Sequence, residues 1–189
     1  MKPIGILALQ GDFEAHRRAV ERAGAKAVEV RTADAMREVS GLILPGGEST
    51  TMLKLLVDEG LFEPLKEFGR RQPIFGTCAG AILLAKRVTS PVQPSLELMD
   101  IDVERNAYGR QLDSHVARIK AAELGDGEME AVFIRAPIIR RTGPGVRVLA
   151  EYKGDPVLVD DGLHLAATFH PELSEGAVIH RLFVERVRS

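Results

Sequence analysis

Gly76-Thr77-Cys78-Ala79-Gly80 sets the chain's one cysteine between a short apolar strand signal, Ile74-Phe75, and a helix-like run from Ala79 to Lys86. Gly-x-nucleophile-x-Gly at a strand-to-helix turn is the nucleophile elbow. The turn is so sharp that its flanking residues must be small, and the nucleophile is pushed to the carboxyl edge of the sheet. A thiol at a helix N-terminus meets unpaired N–H groups and the positive end of the helix dipole, which favour the reactive thiolate. The N–H of Ala79 is then placed to donate to a developing oxyanion. A lone cysteine is ordinarily a small buried core residue. The glycine frame and the strand-to-helix setting reverse that reading.

A thiol nucleophile needs a base, and the base needs an orienting group. His170-Pro171-Glu172 follows the apolar run Leu163 to Phe169 and supplies both. Residues two apart in an extended segment point the same way, so Glu172 can hold the His170 imidazole. The order Cys, His, Glu is no obstacle, because geometry and not chain order defines a triad. Taken alone, His170 reads as a surface histidine at a strand end; beside Glu172 and Cys78 it reads as a base. Pro45-Gly46-Gly47-Glu48 ends another strand signal, where open parallel sheets bind ligands. Its glycines let the backbone approach a ligand closely, and the Gly47 N–H is a candidate second oxyanion donor. In isolation a Gly-Gly pair is an ordinary strand-to-helix turn. The chain carries neither Gly-x-x-x-x-Gly-Lys nor Gly-x-Gly-x-x-Gly, so a phosphate loop is disfavoured.

The elements that must position these residues alternate in type. Strand signals run over Ile4 to Leu9, Ala27 to Val30, Leu42 to Leu44 and Ile74-Phe75. A helix capped by Asp12 precedes Gly24, and another starts near Ser49 or Thr50 with Leu53, Leu56 and Val57 on its apolar side. Strands alternating with helices on short loops predict a parallel sheet covered on both faces. Residues 98 to 104 alternate as a strand with one wet face. Further strands are expected over Val116 to Lys120, Ala131 to Ile134, Val146 to Tyr152 and Pro156 to Val159. Asp161-Gly162 reads as a hairpin turn into Leu163 to Phe169, and Glu175 to Val187 as a closing helix.

With 189 residues the chain suits one domain, 1–189. A net charge of −2 gives no reason to expect nucleic acid or an acidic membrane as partner. No run approaches a membrane span and the N-terminal apolar run lacks a signal-peptide pattern, so a cytoplasmic location is expected. One cysteine forms no internal disulfide, and no Cys/His cluster suggests zinc. Arginine outnumbers lysine and Asn106 is the sole asparagine, a composition that fits a heat-adapted source.

The elbow and His170-Pro171-Glu172 resemble the class I (triad) glutamine amidotransferases. Within them the chain is similar to the glutaminase subunits of pyridoxal 5′-phosphate synthase. Matching segments are Leu9-Gln10-Gly11-Asp12, Pro45 to Met52, Gly76 to Gly80, Glu104 to Gln111, Phe133 to Pro137 and Phe169 to Leu173. The Gly-Gly-Glu-Ser-Thr-Thr and Arg-Asn-Ala-Tyr-Gly-Arg-Gln stretches are the more specific. The resemblance implies a three-layer αβα sandwich with a mixed, mostly parallel central sheet, flavodoxin-like in form. It implies Cys78 as nucleophile with His170 and Glu172 completing the triad, and a glutamine site of Gly46, Gly47, Glu48, Arg105, Ile134 and Arg135. A guanidinium at Arg105 suits an α-carboxylate, although a solvated arginine on a strand's wet side is the bland alternative. Gln10 would lie near the oxyanion loop and the partner interface. One departure is His115, where an apolar residue is expected after Asp113-Ser114.

The implied chemistry is hydrolysis of L-glutamine to glutamate and ammonia through a thioester, with no metal or cofactor. Free ammonia is protonated and lost in bulk water at neutral pH, so a glutaminase without its own synthase domain implies a partner. The resemblance names the synthase subunit that builds pyridoxal 5′-phosphate from ribose 5-phosphate and glyceraldehyde 3-phosphate. It implies activation on docking and a dodecameric core carrying as many glutaminases. Three alternatives stay open: service to another synthase such as the imidazole glycerol phosphate enzyme, a cysteine peptidase or stress-protein relative with a similar elbow, and a non-catalytic binding subunit.

Overall fold

The computed structural model describes residues 2–106, 114–121, 124–125 and 127–189. The apolar runs of the first half form β1 (Ile4–Leu7), β2 (Ala27–Val30), β3 (Gly41–Leu44) and β4 (Ile74–Thr77). Between and after them come α1 (Phe13–Arg22), α2 (Ala33–Arg37), α3 (Ser49–Asp58), α4 (Phe62–Gly69) and α5 (Ala79–Leu84). The second half is mostly strand: β5 (Ala85–Thr89), β6 (Met99–Glu104), β7 (His115–Lys120), β8 (Glu128–Phe133), β9 (Ile138–Thr142), β10 (Arg147–Tyr152), β11 (Asp155–Asp160) and β12 (Leu165–Ala167). A 3-10 turn (Pro171–Leu173) and α6 (Val178–Arg188) end the chain.

Seven strands make the central sheet in the order β10-β11-β12-β4-β3-β1-β2. The five from β12 to β2 are parallel, and β11 and β10 continue antiparallel. Successive side chains of a strand point to opposite faces, and each face is buried under helices. Ile6, Ile43, Phe75 and Leu165 pack with Val20 of α1 and Ile179 and Phe183 of α6. Leu7, Leu42, Leu44, Ile74 and Ala166 pack with Met52 and Leu56 of α3, Leu65 of α4 and Ala81 to Leu84 of α5. The result is the expected three-layer sandwich around a mixed, mostly parallel sheet. The small sheet β5-β6-β9 extends the α3–α5 side, and the β7-β8 hairpin lies on the α1–α6 side. Because β1, β3, β4 and β12 run the same way, Gln10, Gly46, Cys78 and His170 all emerge at one edge.

Local corrections have physical causes. The helix expected over Ala79 to Lys86 ends at Leu84, because Ala85 to Thr89 pair with β6. Val57 is 59% exposed, so the buried stripe of α3 runs through Met52 and Leu56 instead. Helices α2 and α4 and strand β9 carry no sequence assignment, and of β5 only Ala85 and Lys86 do, as the end of the expected helix. Helix α2 has only five residues, and α4 has no side-chain cap and carries Pro64 in its first turn. His115 takes the expected apolar place as a flat ring, stacked on Phe133 at 5.0 Å and tilted against Tyr152 at 5.6 Å. Residues 107 to 113, including most of the specific Arg105 to Gln111 stretch, lie outside the described residues. No helix among the described residues is long and apolar enough to cross a membrane.

Phe183 is fully buried and meets Phe75 at 5.7 Å between centroids. Phe183→Ala is expected to destabilise the fold by about 3–5 kcal/mol, read as a lower urea midpoint with an unchanged slope.

Candidate active site

The turn at Cys78 is built by steric necessity. Cys78 has φ 49° and ψ −105°, a conformation that L-residues avoid unless the surroundings impose it. Its N–H donates to the Ala167 carbonyl of β12 at 2.8 Å. The flanking glycines permit contacts that a side chain would block. A Cβ on Gly76 would sit 2.5 Å from the Gly80 carbonyl, and one on Gly80 would sit 2.2 Å from the Leu44 carbonyl oxygen. Ala79 opens α5, so its N–H belongs to the first turn, where no intrahelical acceptor exists.

His170 lies beside this thiol. Its Nδ1 is 2.7 Å from Oε1 of Glu172, so Nε2 is the ring nitrogen left available to the Cys78 thiol. Burial pushes the imidazolium down in pKa, but interactions with Cys78 and Glu172 outweigh it and raise His170 to about 10. The raised pKa keeps His170 charged at neutral pH, with Cys78 beside it. Gly46 completes the packing: a Cβ there would come within 2.4 Å of His170 Cε1 and 3.3 Å of the Cys78 Cβ. The loop therefore closes over the pair only because Gly46 has no side chain.

Cys78 and His170 face a cleft of about 310 Å³. Gly47, Glu48, Arg105, Ile134 and Arg135 line it, as expected, and so do Ser49, Ile82 and Asn106, which carried no sequence signal of their own. The Ile134 carbonyl oxygen is 3.9 Å from Cys78 Sγ, and Arg135 holds φ 44°, a second left-handed residue at the same rim. Gln10 donates through Nε2 to the Glu48 carbonyl at 2.6 Å and lies against Gly47. Another hollow of about 670 Å³ opens beside Lys2, Met36, Phe68 and Arg71, but it holds none of the residues with this chemistry.

Glu48 does two things at once. It caps α3, accepting from the N–H and hydroxyl groups of Thr50 and Thr51. Its Oε1 is also 3.4 Å from Nη2 of Arg105, whose side chain is 10% exposed. Burial pushes the Glu48 carboxyl up, but the Thr50 and Thr51 hydrogen bonds outweigh it and hold the carboxyl at about 2. Arg105 thus has a carboxylate partner within the protein. The described residues contain no group of His, Cys, Asp and Glu arranged to hold a metal ion.

A model of the SNO glutamine amidotransferase family matches residues 6–189. A Solibacter usitatus protein named pyridoxal 5′-phosphate synthase subunit PdxT is 59% identical, over 99% of this chain and 100% of that one. A Pelotomaculum thermopropionicum protein of the same name is 49% identical, over 97% and 94%. A crystal structure of a glutamine amidotransferase matches with TM-score 0.90 at 45% identity, covering 98% of this chain and 99% of that one. A putative GMP synthase component from Thermoplasma acidophilum, 16% identical with TM-score 0.73 over 100% and 94%, shares the fold.

The cap at Glu48 gives a pH signature. A carboxyl held at about 2 against an ordinary 4.5 contributes stability that is present above about 4.5 and lost as pH falls toward 2. Glu48→Gln is expected to melt below the unaltered protein at pH 7, the gap narrowing as pH falls through that window. Thermal melts across the range check it; a gap that widens on acidification contradicts it.

Proposed function

The chain belongs to the SNO glutamine amidotransferase family, and from that premise we propose that it is the glutaminase of a pyridoxal 5′-phosphate synthase, with Cys78, His170 and Glu172 as its triad. The observation that carries this reading is that Cys78, at a helix N-terminus, and His170 line one cleft, with Glu172 behind the imidazole at 2.7 Å. The whole chain, 1–189, serves as one glutaminase domain.

The Cys78 thiolate attacks the side-chain amide carbon of L-glutamine, forming a C–S bond and placing negative charge on the amide oxygen. The N–H groups of Gly47 and Ala79 receive that oxyanion. His170, entering as imidazolium, gives its Nε2 proton to the amide nitrogen; the C–N bond breaks and ammonia leaves a thioester. The now neutral His170 takes a proton from water, and the hydroxide adds to the thioester. Release of the thiolate frees glutamate and restores the starting ion pair. Glu172 holds the ring and stabilises its charged form, as the acid of a triad does.

Recognition of the amino-acid end falls to Arg105, Glu48 and the rim at Ile134 and Arg135, with Gly46 and Gly47 letting the substrate lie against backbone. The Glu48–Arg105 pair presents both signs of charge to the cleft, the complement of an α-ammonium and an α-carboxylate. Gln10, bonded to the exposed oxyanion loop, is the element a docking partner can reach. That partner is the synthase subunit, which consumes the ammonia in making pyridoxal 5′-phosphate from ribose 5-phosphate and glyceraldehyde 3-phosphate. The proposed assembly is a dodecameric synthase core with one glutaminase on each subunit, working in the cytoplasm without cofactor. The names of the 59% and 49% identical relatives favour this synthase over other amidotransferase partners.

Cys78→Ala is expected to abolish ammonia release from glutamine, assayed with the synthase subunit present, while leaving co-purification with that subunit intact. Retained activity would sink the mechanism. A glutamine-mimicking electrophile is expected to add to Cys78, located by mass spectrometry; absence of the adduct in the complex counts against Cys78 as nucleophile.

A further inference from the structure

Behind the triad lies a buried pair of imidazoles that the mechanism leaves unused. His16 of α1 and His180 of α6 are both fully buried. His16 Nδ1 is 2.9 Å from His180 Nε2. On its other side, His16 Nε2 is 3.4 Å from Oε2 of Glu172 and 3.2 Å from the Thr77 hydroxyl. A line of polar groups therefore runs from α6 through α1 to Glu172, on to His170 and then to Cys78.

The state of that line follows from counting protons. Burial, then the neighbouring His180 and His170, hold His16 far below the ordinary imidazole range; burial and Arg22 hold His180 at about 3. Both rings are neutral at pH 7, so each carries one N–H and one lone pair. Suppose His16 donated from Nδ1. Its Nε2 lone pair would then face the Glu172 carboxylate, and His180 would carry its proton on Nδ1, a buried atom with no partner among the described residues. Buried orphan N–H groups are rarer than under-used acceptors. The opposite assignment has His180 Nε2–H donating to His16 Nδ1 and His16 Nε2–H directed at Glu172 and Thr77. It leaves only a lone pair on His180 Nδ1 without a partner.

Glu172 needs that donor. Its side chain is 1% exposed, and Oε2 has no hydrogen bond of good geometry among the described residues, whereas Oε1 is taken by His170. A buried carboxylate oxygen without a donor is costly, and rotation of the carboxylate would release His170. We propose that His16 is a positioning residue for the glutaminase reaction: its Nε2–H, fixed in that tautomer by His180, anchors Oε2 of Glu172 and so keeps Oε1 aimed at His170.

The inference rests on the triad reading, and the test separates the two. Nitrogen NMR of histidine-labelled protein reads the tautomer without any substitution: Nε2–H on His16 supports the anchor, and Nδ1–H overturns it. Two amides then probe the function in the complex with the synthase subunit. His16→Gln places its amide near the Nε2 position, and His16→Asn near Nδ1. The expected result is kcat within about threefold for Gln but a loss of about 10- to 100-fold for Asn, with KM little changed in both. Equal activity, or equal loss, in the two variants overturns the anchor. If Cys78→Ala is inactive while His16→Asn is fully active, the triad stands and the anchor falls; if Cys78→Ala keeps activity, both fall.

Discussion

The left-handed backbone of Cys78 is the constraint around which the rest of the site is arranged. A conformation of this kind costs on the order of 1–3 kcal/mol and persists only where its neighbours over-determine it. Here the neighbours are specific. The Ala167 carbonyl of β12 fixes the Cys78 N–H, and Gly80 lies directly on the Leu44 carbonyl of β3, so the strands on both sides of β4 hold the elbow. Adding a methyl at Gly76 or Gly80 would push β4 and α5 apart and release the turn. The strand that fixes the Cys78 N–H also delivers His170, three residues after Ala167.

A second regularity is that the charges of the cleft are matched within the protein. His170 has Cys78 and Glu172; Arg105 has Glu48; Glu48 has the first turn of α3 as well. Such matching lets an empty site stay folded without an isolated charge in partly buried surroundings. It also sets the terms of binding. A zwitterionic ligand must exchange its own ammonium and carboxylate for contacts the protein already makes, so its affinity is a difference between two sets of ion pairs. The half-exposed Glu48 makes that exchange less costly than a fully buried pair would.

The grouping of Cys78, His170 and Glu172 was legible where it is local in sequence. Cys78 declared itself through Gly76 and Gly80, and Glu172 through its two-residue separation from His170, because turn sterics and strand periodicity act over a few residues. The central strands were legible for the same reason. The pairing of Arg105 with Glu48 was not, because it joins loop positions 57 apart that follow strands of different sheets, and charge alone does not name a partner. The first two residues of β5, Ala85 and Lys86, read as helix because they continue a helix-favouring run, and only pairing with β6 overrides that preference. His16 and His180 passed as ordinary helix residues. Their signal was faint but physical: His16 falls between Ala15 and Ala19 on the buried stripe of α1, and His180 beside Ile179 and Phe183 on that of α6. A histidine on a stripe that is otherwise apolar must find a buried polar partner, and the nearest carboxylate is the one that orients His170.

That partnership changes how the layers divide the work. The α3–α5 side provides what faces the cleft: the capped helix that carries Glu48, the elbow helix and, through the small sheet beside it, Arg105. Among the described residues helices α1 and α6 line none of the cleft, yet their buried imidazoles reach the far oxygen of Glu172 through His16. The sheet edge between them holds thiol and base. The Gly47-Glu48 loop borders the cleft on one side, while behind Glu172 helix α6 packs His180 and Phe183 on Phe75. A triad supported only from its own loop would move whenever that loop moved. Anchoring the acid in the opposite layer separates the fixed geometry that proton transfer requires from the adjustable surface that ligand and partner need.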